Sequence, residues 1–127
     1  MHQEKVNVIL AFMKVVEAFH PNSRRVVDTE KVNFSRHELT KILKIYGQMV
    51  SKGEWRDYSI SSLSSKAIFS IFRRTSENPL YMIIKTPKLA KKHATFSIVA
   101  MNGMTLKQGG DLQSIMQIFN KNLFKLI

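Results

Sequence analysis

The chain has 127 residues, 44% of them hydrophobic, and carries 20 Lys/Arg against 9 Asp/Glu, a formal net charge of +11 at pH 7. That length and apolar content suit one independently folding domain and exclude a disordered chain. The absence of cysteine excludes disulfides and thiolate metal sites, and no apolar run approaches the ~20 residues a membrane helix needs.

Val6, Ile9, Leu10, Met13 and Val16 recur at helical spacing, with Phe12 and Phe19 widening their face. They predict an N-terminal amphipathic helix over residues 1–22, set apart from a single α+β domain over 23–127. Lys14 and Glu17 follow its apolar run closely and no small-residue cleavage site appears, so it reads as a helix rather than a signal peptide. A neighbour or a second copy of the chain is expected to cover it. After Pro21-Asn22-Ser23 the chain turns irregular until "SRHELTKILKIYGQMVSKG". There Ser35 and Glu38 form a capping box, Leu39, Ile42, Leu43, Tyr46, Met49 and Val50 make one stripe, and Gly53 suits a left-handed C-cap.

Beyond Gly53 the apolar period changes from 3.6 to 2. The stretches "EWRDYSI", "AIFSIFRR", "LYMIIKT", "TFSIVAM" and "MTL" read as strands. Asn102-Gly103 predicts a two-residue type I′ hairpin turn, and the other links are short, so the strands form an antiparallel meander. Gly109-Gly110 break the last strand. Asp111 can then cap a final helix lined by Leu112, Ile115, Met116, Phe119, Leu123 and Phe124. The expected fold is therefore α+β: a meander of four to five antiparallel strands with helices packed on one face, in the order helix-helix-strands-helix.

Charge is distributed unevenly. Residues 84–127 hold seven Lys/Arg and one acid, and Lys85, Lys88, Lys91, Lys92 and His93 fall between Glu77 and Asp111 with no acid among them. Core packing does not account for such a run, whereas a polyanion does. Arg73 and Arg74 emerge on opposite faces at the end of one strand, and Tyr81 alternates with Lys85 along the next. An uncovered sheet face offering aromatics beside these cations would stack bases while the Lys loop held phosphates. The expected nucleic-acid-binding residues are thus Arg73, Arg74, Tyr81, Lys85, Lys88, Lys91, Lys92 and His93. The competing expectation is a protein–protein adaptor docking through exposed apolar helix faces.

No chemistry-bearing motif appears. His2, His20, His37 and His93 form no metal-binding spacing, and there is neither a phosphate-binding glycine loop nor a nucleophile elbow. In "GEWRDY", Glu54 and Asp57 would point to opposite faces of a strand, which suits pairing with Arg56, Arg73 or Arg74 better than acid–base work. A non-enzymatic protein without metal, cofactor, small-molecule substrate or membrane partner is expected. The apolar end helices suit a homodimer.

"NFSRHELTKILKIYGQMVSKGEWRDYSI", with "FSIFRRTSENPLYMI" and "PKLAKK", resembles a family of uncharacterised alphaproteobacterial proteins, a domain of unknown function. Its signature, FSRxELxxILxxYGxMVxxGEWRDY, corresponds to Phe34 through Tyr58, and the resemblance extends over about residues 31–125. It implies a bacterial, cytoplasmic protein and brings no activity with it. The predicted layout is also that of single-strand-binding modules such as Whirly-like domains, a likeness of fold that does not itself dictate function.

Overall fold

Ser35 and Glu38 start the first described helix as the sequence predicts. The Glu38 backbone N–H donates to Ser35 Oγ at 3.1 Å, and the Ser35 N–H donates to Glu38 Oε1 at 2.7 Å. The computed structural model describes residues 30–74 and 78–125, with side chains as far as Asn120. The N-terminal helix expected over residues 1–22 lies outside them. Helix α1, Arg36–Ser51, buries its whole apolar stripe, Leu39, Ile42, Leu43, Tyr46, Met49 and Val50. At its end Gly53 takes φ +75°, and the N–H groups of Gly53 and Glu54 donate to the carbonyls of Val50 and Met49. These two bonds close a Schellman motif, which uses the left-handed conformation glycine adopts without steric cost.

Five strands follow: β1 (Asp57–Ser62), β2 (Ala67–Phe72), β3 (Tyr81–Lys85), β4 (Phe96–Ala100) and β5 (Thr105–Gly109). They pair in chain order as one antiparallel meander. A short 3₁₀ helix, Pro87–Lys92, joins β3 to β4, and helix α2, Leu112–Lys125, ends the described chain. Asp111 caps α2 as expected: its Oδ2 accepts from the Ser114 N–H at 3.2 Å and from Ser114 Oγ at 2.6 Å. That hydroxyl bond is the main cause holding the Asp111 carboxyl below its ordinary pKa.

Two local expectations are corrected. A type I′ turn needs positive φ at both central residues, but only Gly103 has it, at +88°. The Ala100 N–H reaches the Met104 carbonyl and Asn102 Oδ1 accepts from the Met104 N–H, so the loop holds three residues, Met101–Gly103. The last strand also runs to Gly109 rather than stopping at Leu106, with a register shift opposite Ile98 and Val99.

Both helices lie on one sheet face, as the two-layer reading expects. Register places Tyr58, Phe69, Ile83 and Ile98 on that face, the last three fully buried. Trp55 wedges between α1 and α2, 6.1 Å from the Tyr46 ring and 4.9 Å edge-on from Phe119. Phe69 stacks parallel on Tyr58 at 5.0 Å. Burial in this cluster pushes the Tyr46 phenol far above its ordinary range, with Asp57 adding to the effect. The opposite face carries Ile68, Ser70, Phe72, Met82, Ile84, Ser97 and Val99, and no described helix covers it.

Candidate nucleic-acid interface

β3 delivers the basic run to one end of the sheet. The Thr86 N–H donates to the Thr95 carbonyl at 2.7 Å, closing the ladder, and Pro87 then opens the 3₁₀ helix at a position where its missing N–H matters least. Leu89 turns partly inward; its N–H donates to Thr86 O and its carbonyl accepts from Ala94. Lys88, Lys91, Lys92 and His93 are all exposed. With three residues per 3₁₀ turn, Lys88 and Lys91 eclipse on one side of it. His93 ends the turn at φ 52°, a conformation histidine tolerates better than branched residues do. What the sequence presents as a loop is thus a hydrogen-bonded turn that carries three exposed lysines.

The fold brings further cations to this end that sequence reasoning missed. Glu38 Oε1 accepts from Lys85 Nζ at 2.8 Å, which seats the first turn of α1 over the end of β3 and brings Arg36 and His37 with it. Lys41 faces Asp111 closely enough to lower its pKa. A Cβ on Gly110 would stand 3.4 Å from the His93 Cα, so the start of α2 lies directly against the lysine turn. Both described helices therefore aim their positive N-terminal ends at this surface. Two acids lie nearby among the described residues, and both are engaged: Glu38 by Ser35 and Lys85, Asp111 by Ser114. One signal was available in the sequence: Arg36 and His37 occupy a first helical turn, where cations oppose the dipole.

Four expected site residues stand apart from this turn. Tyr81 lies on the helix-covered face, 6.2 Å from Trp55 and 5.1 Å from Phe119, so it packs the core instead of stacking bases. Lys85 shares that face; its ammonium is held by Glu38 and by the Asn33 carbonyl at 3.0 Å. Arg73 pairs with Glu54 at 3.3 Å, the pairing that the plainer reading of "GEWRDY" expects. Arg73 and Arg74 also follow β2 at its far end. β2 and β3 pair Ile71 with Tyr81 there and Ala67 with Lys85 at the lysine end. Roughly 15 Å of strand thus separates the two groups, about two Debye lengths at physiological salt. They form no continuous patch. Phe72 is the one aromatic among the paired positions of the open face, and none of those positions is Lys or Arg.

Among the described residues, no cluster of His, Asp and Glu has metal-site geometry, and no helix is long and apolar enough to cross a membrane. No curated protein and no solved structure matches the chain. The family model described as protein of unknown function (DUF2794) matches residues 32–116, two thirds of the chain and most of the described fold. The chain therefore belongs to that family, protein of unknown function DUF2794.

Proposed function

We propose that this is a small, non-enzymatic, cytoplasmic bacterial protein that binds nucleic acid through the basic end of its sheet. The observation that carries the reading is the lysine turn: Lys88, Lys91, Lys92 and His93 exposed at one short 3₁₀ helix, with no free acid beside them among the described residues. Holding like charges together opposes folding unless a polyanion offsets them. Arg36, His37 and Lys41 on α1 extend the surface, whereas Tyr81 and Lys85 serve the fold. Contacts of this kind address phosphates, and with no exposed aromatic beside them among the described residues they imply backbone recognition with little base readout. A homodimer would double the basic surface.

The test is a fluorescence anisotropy titration with labelled single- and double-stranded DNA and RNA. Lys88, Lys91 and Lys92 all changed to Glu should abolish binding, and Arg73→Ala at the far end should leave it intact. Equal loss in both, or no binding by the native chain, would overturn the reading. For the second reading, a protein adaptor, the described stripes of α1 and α2 are core. That reading now rests on the open apolar face of the sheet.

A further inference from the structure

β2 and β3, "AIFSIF" and "YMIIK", are apolar on both sides. An antiparallel sheet with one solvated face alternates apolar and polar residues, whereas near-continuous apolar strands are those covered twice. Here Ile68 pairs with Ile84, and Met82 pairs with Val99, forming a contiguous apolar band with Phe72 on the face away from the helices. The small side chains Ser59, Ser70 and Ser97 flank it and leave a shallow bed. Without a Lys or Arg at any paired position it is no phosphate surface, and its occupant must be apolar.

We propose that the occupant is the chain's own N-terminal segment, docked through Val6, Ile9, Leu10, Met13 and Val16. Size favours this over a second copy. The five-stranded face measures roughly 19 by 17 Å in projection, the footprint of one or two helices and small beside the ~800 Å² of accessible surface that each partner of a stable complex buries. A helix of about 15 residues is ~22 Å long and ~10 Å wide, which fits that bed. Position favours it too. The Val32 N–H is fixed to the Leu63 carbonyl at the β1–β2 turn, and Ser62 Oγ donates to Asn33 Oδ1 at 2.6 Å, so the chain enters the fold at one rim of the sheet. The dozen residues between Phe19 and Val32 reach up to ~40 Å, enough to return across the open face. A tether of this length supplies a local concentration near millimolar, so a modest apolar contact suffices.

The test uses the full chain. Methyl NOEs from Val6, Ile9, Leu10 or Met13 to Ile68, Met82, Ile84 or Val99, absent from isotope-filtered spectra of mixed labelled and unlabelled chains and so arising within one chain, are the expected result. Leu10→Asp with Met13→Asp should remove them. It should also speed peroxide oxidation of Met82 severalfold while leaving Met101 and Met104, both 61% exposed, as unchanged internal references. Absent NOEs in the native chain together with an unchanged Met82 rate in the variant would overturn the proposal. Isotope-filtered NOEs arising between two copies would likewise overturn it and assign the face to a dimer.

Discussion

Replacing Lys85 by Met keeps the aliphatic stem and removes the ammonium. Because that ammonium is already held by Glu38 and Asn33, this is a stability variant rather than a binding variant. The side chains of Lys85 and Glu38 are each 19% exposed, and their N–O distance is 2.8 Å. Exposed pairs contribute ~0.2–1 kcal/mol, whereas breaking a buried pair costs ~3–5 kcal/mol. A pair at this depth, with one further bond from Lys85 to Asn33 O, should contribute about 1–2 kcal/mol. For a chain of this size that lowers Tm by roughly 4–8 °C. Urea unfolding followed by circular dichroism measures it, and a cycle with Glu38→Gln should show a coupling of about 1 kcal/mol. Oligonucleotide affinity should stay within about twofold, since the ammonium already has partners. Unchanged stability, combined with an affinity loss as large as that of Lys91→Met, would refute this division of roles.

Phe69→Ala removes a fully buried ring stacked on Tyr58 and should cost about 3–5 kcal/mol, read as a fall in the urea midpoint. Gly53→Ala meets no atom within 4 Å, so only the left-handed backbone is penalised; a loss of about 1 kcal/mol is expected, and none would contradict the C-cap. Asp111 has a folded-state pKa depressed below 3.8, so its contribution is complete above the unfolded value and disappears as pH falls through the folded one. The native urea midpoint should therefore fall more steeply below about pH 4 than that of Asp111→Asn, and parallel curves would contradict the cap.

Much of the fold was legible because its signals are local. The capping box, the α1 stripe, Gly53 and the Asp111 cap each follow from residues within one or two turns. The Asn102-Gly103 turn was misread because Asn102 uses its side chain to hold Met104 and keeps negative φ, a choice governed by the register of β4 and β5. Pro87 marked the end of β3, but 3₁₀ bonding through Leu89 depends on closure between Thr86 and Thr95, which the sequence does not display. The candidate site divided for a similar reason. Alternation correctly grouped Tyr81 with Lys85, yet which face the helices cover is a tertiary fact, and it converts both residues to structural use. Arg73 and the lysine turn are near in sequence and far in space because one strand runs between them.

Whether the lysine turn grips phosphates is measured most directly by the salt dependence of oligonucleotide binding. Lys88, Lys91 and Lys92 with Arg36 and Lys41 offer about four to six phosphate contacts, so log K against log salt should have a slope of roughly −3 to −5. Charge reversal at the three lysines should flatten the slope by about 2 or more, while Lys85→Met and Arg73→Ala leave it as it was. A slope indifferent to the lysine turn, or absent binding at ~50 mM salt, would contradict the claim.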